Sequence, residues 1–324
     1  MAHHNGAKVA PQWPHLRVGL GTAALGYLFE ATSEDMALSV IEAAWDAGIR
    51  IFDTAHLYGG GLAEQRLGTA LRTRRRDDFR LSTKIGCYRP FGAGPIPHGS
   101  TQRRAADVWD YGYDRTRAAV ETSLQRLGTD RLDIVHLHGF DDHVQVALSE
   151  AHRALLRLKE EGVIGAIGAG CDSVAPLLAG LERDAFDTIL CAGRYTLLDR
   201  SAAQRLIPLA REKRCAVIVA GVFNSGVLAT GASAGARFDY SAAAPEILQR
   251  VAALEQVCRQ HGVALKAAAL QFPLRNPAVG TLLIGPANLV ELDDSLTHLD
   301  AAIPEDFWAD ADAVVLGPVT GGHA

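Results

Sequence analysis

The chain has 324 residues, of which 48% are hydrophobic and 21% charged, with a formal net charge of −5. That length buries a substantial core, and the mild acidity lacks the basic stripes that nucleic acids or anionic membranes require. Five cysteines without paired spacing (Cys87, Cys171, Cys191, Cys215 and Cys258) argue against a disulfide framework, and no apolar run reaches signal-peptide or membrane-spanning length, so a cytoplasmic protein is expected.

Residues 1–14 read as a flexible start to a single domain covering 1–324. Short β-rich runs then alternate with longer helical patterns. RVGL (17–20) is followed by the helix SEDMALSVIEAAWDAG, with Ser33 as N-cap and Gly48 as stop. RIFD (50–53) precedes a helix around AEQRLGTALRTR, whose arginines (Arg72, Arg74, Arg75, Arg76) read as a solvated helix end. FRLSTK (79–84) is a strand running into an irregular segment, 85–110, rich in Gly, Pro and aromatics. Loops of that length are usually functional.

YDRTRAAVETSLQRLG forms a helix that ends at Gly128, and LDIVHLHG (132–139) a strand. After the helix VALSEAHRALLRLKEEG come VIGAIGAG (163–170), the helix SVAPLLAGLERDAF, the strand DTILCAGRYT (187–196) and the helix AAQRLIPLAREKR. AVIVAGVFNSG (216–226) leads through an insertion at 229–244 to the helices EILQRVAALEQVCRQHG and LKAAALQFPLRN. TLLIG (281–285) closes the strands and LVELDDSLTHL the helices. Eight strands, mostly continuous apolar runs, each followed by a helix, predict a (β/α)8 TIM barrel. A doubly wound sheet is the alternative. Gly19, Gly21 and Ala24 fit its GxGxxA fingerprint, but the helix begins only near Ser33 and Asp53 lies too far along to bind a ribose.

The C-terminal ends of barrel strands face the active site. Asp53 ends the second strand, Lys84 the third and His138 the fourth, while Tyr58 stands on the loop after Asp53. Carboxylate, ammonium, phenol and imidazole can therefore converge for proton transfer at a carbonyl or alcohol. A phenol titrates near 10, and a neighbouring ammonium favours its phenolate. Asp53 would hold Lys84, and His138 would orient the substrate oxygen. His136 points the same way as His138 but lies inside the strand, so it reads as a core histidine. Asp141, Asp142 and His143 read as a polar loop, and no metal site is expected.

FDTAHLYG, the TK of LSTK, DIVHLH and AGRYTLLDR resemble the aldo-keto reductase family, in its branch of aldose 1-dehydrogenases and pyridoxal 4-dehydrogenases. The likeness runs from Gly19 to about Leu296. It implies a nicotinamide cofactor bound without a Rossmann fold, no metal, and a catalytic tetrad falling on Asp53, Tyr58, Lys84 and His138. Gly21 and Thr22 would border the cofactor. The Ser-Asn pair that usually grips the carboxamide is replaced by Gly170, Cys171 and Asp172, with Asp172 as the substitute. Phe223 or Tyr195 would stack on the nicotinamide, and Asn224, Ser225 and Gly226 would cover the pyrophosphate.

In the last loop, the places where NADP-dependent relatives carry basic residues hold Gly285 and Glu291, flanked by Asn288 and Ser295. A carboxylate there repels a 2′-phosphate, so NAD is preferred over NADP. A plainer role for Glu291 is to favour the helix dipole. Tyr88, Trp109 and Phe140 would contact the small-molecule substrate. The resemblance implies oxidation of an aldose at C1 to its lactone. Pyridoxal oxidation, general aldehyde or ketone reduction, and a slow nicotinamide-binding regulatory subunit are the alternatives.

Overall fold

A computed structural model describes residues 17–28, 30–94 and 107–317. The expected flexible start at 1–14 and part of the long irregular loop lie outside the described residues. Eight parallel strands form the frame: β1 (Val18–Gly21), β2 (Ile51–Asp53), β3 (Arg80–Ile85), β4 (Leu132–His138), β5 (Ile164–Cys171), β6 (Thr188–Ala192), β7 (Ala216–Ala220) and β8 (Val279–Ile284). Each pairs with the strand before and after it, and β1 pairs with β8 through Val18 and Leu282, closing a barrel. Closure removes the doubly wound alternative. Gly19 answers instead to packing inside the barrel, where a Cβ would lie 2.7 Å from Leu283 Cδ2.

Alternation along each strand explains the apolar runs. Ile51, Ile134, Ala166, Leu190, Ile218 and Leu283 pack together as one layer, whereas their chain neighbours Phe52, Val135, Ile167, Ile189, Val217 and Leu282 belong to the main core. Both faces are buried, so most strands lack the polar stripe of a solvent-facing sheet, and the inward polar residues of β3 and β4 are the exception.

Helix signals mostly fall where expected. Ser33 caps Glu34–Asp46 by accepting from Met36 N at 3.2 Å, and Tyr113–Leu127 ends at left-handed Gly128. Five expectations need correction. The segment 187–196 forms a strand only over Thr188–Ala192, because the chain turns at left-handed Gly193. The irregular loop contains a small hairpin, Cys87–Tyr88 against Val108–Trp109, and the insertion at 229–244 contains another, Arg237–Phe238 against Ser241–Ala242. Arg76 is no solvated helix end, since it binds Asp133 at 2.5 Å and Thr129 Oγ1 at 3.1 Å. A further helix, Glu305–Leu316, follows Leu289–Leu299 and buries Phe307, Trp308, Ala311 and Val315, with Phe307 edge-on to His261.

Candidate active site

The strand ends place four polar side chains at one mouth of the barrel. Asp53 stands opposite Ser82 in the β2–β3 register, and Lys84 opposite His136 in the β3–β4 register. Tyr58 comes from the turn after β2, where Gly59, Gly60 and Gly61 all have positive φ (61°, 65° and 102°). Only glycine adopts such a run readily. At Gly60 a Cβ would also fall 2.2 Å from Pro90 O. The triple glycine thus swings the chain from the strand end into the helix Leu62–Leu71 and leaves the phenol over the barrel.

The four groups meet around Lys84. Its ammonium donates to Asp53 Oδ1, to Thr54 O at 2.9 Å and to Tyr58 Oη at 3.1 Å. Ser82 Oγ donates to Asp53 Oδ2 at 3.0 Å, and Thr22 fixes the Asp53 carbonyl through its N–H (2.9 Å) and hydroxyl (3.1 Å). The His138 ring lies edge-on to Tyr58 with centroids 6.0 Å apart, and Tyr111 Oη donates to the His138 carbonyl at 2.6 Å.

Burial dominates the titration of the cluster. It pushes the Asp53 carboxyl up against the opposing pull of Lys84 and Ser82. Burial works against the Lys84 ammonium, but the Asp53 charge and hydrogen bonds outweigh it and hold that lysine charged. Tyr58 corrects a simple expectation. Lys84 does favour its phenolate, yet burial and the Asp53 charge outweigh that pull, and the phenol is held above its ordinary value. His138 is pushed down to about 3 by burial and by the Lys84 and Arg89 charges, so it stays neutral at physiological pH.

These groups border a cavity of about 480 Å³ that extends across the β7 and β8 ends toward the helix Leu289–Leu299. At Gly21, Gly170, Gly221 and Gly285 its wall is backbone alone. Asn224, Ser225 and Gly226 follow one another with positive φ (47°, 62° and 106°), and the Asn224 and Gly226 N–H groups are already taken by Gly221 O and Phe223 O, each at 2.9 Å. At the far end stand Glu291, Asp294, Ser295 and Lys266, with Lys266 paired to Asp294 at 2.7 Å. The glycine stretches of the wall leave room for the backbone to approach the pyrophosphate of a dinucleotide closely.

Of the residues expected from sequence, Asp53, Tyr58, Lys84, His138, Gly21, Asp172, Phe223, Asn224, Ser225, Gly226, Gly285, Glu291 and Ser295 line this cavity. Thr22 lies beneath it, holding Asp53. Tyr195 is turned away, its hydroxyl accepting from Asn276 at 2.9 Å and its ring against Phe272, so of the two expected stacking residues Phe223 is the one at the wall. Asn288 caps the last-loop helix. Its Oδ1 accepts from Glu291 N at 3.0 Å, while the Glu291 carboxylate reaches back to Ala287 N at 2.8 Å.

Tyr88 and Phe140 are corrections. Phe140 is fully buried between Tyr111 and Phe186, and Tyr88 is buried edge-on against His56. Trp109 stacks on His143 and does not border the cavity.

Tyr240 was missed. It lines the cavity from the turn of the second hairpin, where Asp239 and Tyr240 have φ of 49° and 64°, and its N–H donates to Ser225 Oγ at 2.9 Å. Arg194 secures that turn to Asp239 at 2.8 Å and also donates to Asp172 O at 2.6 Å. An Asp-Tyr pair inside a Gly/Ala/Ser-rich stretch was the available turn signal.

A model of the Aldo/keto reductase family matches residues 17–316. The chain belongs to the aldo/keto reductase family. It is therefore an oxidoreductase of a family that uses nicotinamide cofactors. Over 303 residues it is 39% identical to a D-threo-aldose 1-dehydrogenase of a Pseudomonas species, covering 90% of this chain and 92% of that one. It is 36% identical to a pyridoxal 4-dehydrogenase of Microbacterium luteolum, over 90% and 91% of the two chains. An aldo-keto reductase from Bacillus halodurans, solved in a holo form, shares the fold with a TM-score of 0.73 at 25% identity, over 95% and 94% of the chains. Among the described residues no helix is long and apolar enough to cross a membrane.

Proposed function

We propose that this reductase oxidises an aldose at its anomeric hydroxyl to the lactone, with NAD as the preferred acceptor and Asp53, Tyr58, Lys84 and His138 as the catalytic tetrad. The observation that carries the reading is the Tyr58 hydroxyl at the cavity wall, 3.1 Å from the Lys84 ammonium and beside the neutral His138 ring. A nicotinamide held beside Asp172 and Phe223 would supply the hydride acceptor that this oxidation requires. Tyr58, ionised to a phenolate whose charge Lys84 stabilises, takes the hydroxyl proton as the carbonyl forms and becomes the neutral phenol. Neutral His138 donates to the same oxygen and fixes which face of the sugar is presented. Asp53 holds Lys84 charged and oriented. Because the phenol is held protonated at rest, oxidation speeds up as pH rises, and reduction is favoured as it falls.

Charge at the far end of the cavity supports NAD. Lys266 and Asp294 neutralise each other, which leaves the Glu291 carboxylate unbalanced where a 2′-phosphate would sit. The Asn288–Glu291 capping box holds that carboxylate in place. Asp172, whose backbone Arg194 fixes, supports the reading of that residue as the carboxamide holder.

Absorbance of reduced nicotinamide tests the proposal, with NAD and NADP each set against L-fucose, D-arabinose, L-galactose and pyridoxal. NADH with one sugar and little NADPH is expected. Turnover of pyridoxal alone would move the reading to pyridoxal oxidation, which the 36% identical relative favours. Nicotinamide binding without turnover of any substrate, in either direction, would leave only a regulatory subunit.

A further inference from the structure

A second polar layer lies beneath the tetrad. His136 is fully buried, and its Nδ1 is 3.1 Å from Ser82 Oγ, the hydroxyl that donates to Asp53 Oδ2. A serine hydroxyl carries a single proton. If that proton goes to the carboxylate, Nδ1 must carry its own and donate to Ser82, making a directed chain from His136 through Ser82 to Asp53. The opposite tautomer would set the Ser82 lone pairs against the carboxylate at 3.0 Å.

The other ring nitrogen, Nε2, is buried with no partner among the described residues. Leaving an acceptor orphaned is unfavourable, and a leucine at this place would avoid it. The neighbouring strand makes room for the ring. At Gly168 a Cβ would lie 2.3 Å from His136 Cδ2 and 2.8 Å from its Nε2. An imidazole housed in this way, with one nitrogen unpartnered, points to a use for the other.

We propose that His136 and Ser82 are positioning residues that aim the Asp53 carboxylate at Lys84 and thereby set the acid–base geometry of Tyr58. This rests on the reading of Tyr58 as the acid–base group. Ser82 lowers the pKa of the Asp53 carboxyl against burial, so losing its hydrogen bond makes Asp53 take a proton at higher pH. Asp53 would then release Lys84.

Ser82→Ala, His136→Leu, His136→Asn and the Ser82→Ala/His136→Leu double variant test this by the pH profile of kcat, with the aldose turned over fastest. Ser82→Ala should lower kcat about tenfold with KM unchanged, and move the acid limb to higher pH. His136→Leu should do the same in smaller measure, and His136→Asn, which keeps an N–H donor, should restore the profile. In the double variant His136→Leu should add nothing, because the chain is already cut. An acid limb unmoved in Ser82→Ala and His136→Leu, or effects that multiply in the double variant, would overturn the proposal.

Nitrogen-15 NMR of histidine-labelled, cofactor-free protein gives an independent readout. Neutral His136 protonated on Nδ1 is expected, and the Nε2–H tautomer would refute the chain. Tyr58→Phe separates the two ideas. If it retains turnover, the reading of Tyr58 fails and takes this proposal with it. If Tyr58→Phe is inactive while His136→Leu matches the wild type, only the positioning chain fails.

Discussion

Lys84→Met probes the ion pair on which the tetrad is built. The two side chains are 2% and 4% exposed, so neither charge is solvated once its partner is gone. Removing one member of such a pair costs about 3–5 kcal/mol, because an uncompensated charge stays buried. With an assumed urea m-value of about 3 kcal/mol per M, the unfolding midpoint at pH 8 should fall by about 1 to 1.7 M. The pH dependence follows from Asp53. Burial already raises its carboxyl above 3.8, and both Lys84 contributions that oppose burial vanish in the variant. A raised folded value gives stability that is fully present below the unfolded value and lost as pH rises through the folded one. Lys84→Met should therefore regain midpoint between pH 8 and pH 5 relative to wild type. Asp53→Asn on the Lys84→Met background should recover most of the loss at pH 8 without restoring turnover. A Lys84→Met protein within about 1 kcal/mol of wild type at pH 8, or a double variant no more stable than the single, would show that the pair is not charged in the fold and refute the reasoning.

Tyr58→Phe should lower turnover by about 10²–10⁴ while nicotinamide binding, followed by fluorescence, is kept. Glu291→Gln removes about 1 kcal/mol of repulsion at a solvated rim, so the ratio of NADP to NAD efficiency should rise about fivefold; an unchanged ratio would return Glu291 to a capping role alone. Tyr240→Phe removes one hydroxyl from the cavity wall and should raise KM for the aldose about two- to tenfold with kcat nearly constant, whereas equal KM values would place the substrate elsewhere. His136 and His138 both have lowered pKa values, so the unfolded chain takes up protons first as pH drops below 6.5, and stability is lost toward acid. The urea midpoint should fall from pH 7.5 to 5.5, by up to about 1.4 kcal/mol per pH unit for each histidine, and a rising midpoint would contradict their neutrality.

The barrel was legible because parallel strands buried on both faces leave apolar runs, and most of β1 to β8 do so, β3 (RLSTKI) and β4 (LDIVHLH) being interrupted by the polar groups of the site. That Asp53, Lys84 and His138 converge at one mouth was legible because strand-end residues meet in that fold. Loop residues carry no such constraint. Tyr88 and Phe140 looked like substrate contacts, but composition does not say which way an aromatic points, and both are buried in the wall. The helix Glu305–Leu316 had its own signal in the spacing of Phe307, Ala311 and Val315, which lay beyond the span of the family likeness. Tyr240 was hidden because a two-residue turn with positive φ at Asp239 and Tyr240 gives little local pattern. Its importance comes from Ser225 and Arg194, which are distant in sequence.

Strand parity explains why the chemistry and its support share the same strands. On β3, Ser82 and Lys84 are two residues apart and face the barrel interior together, and on β4 His136 and His138 do the same. The register sets Lys84 beside His136, so each strand supplies one group to the mouth and one to the layer below. On β5 the matching inward positions are glycines, Gly168 against the His136 ring and Gly170, where a Cβ would lie 3.4 Å from Lys84 Cδ. The space that a packed barrel fills with branched side chains is here left open on one strand and filled from its neighbours by a histidine and a lysine. A one-residue slip would turn all of these groups outward. The apolar layer of Ile51, Ile134, Ala166, Leu190, Ile218 and Leu283 therefore fixes the register that aims Asp53 at Lys84 and Lys84 at Tyr58.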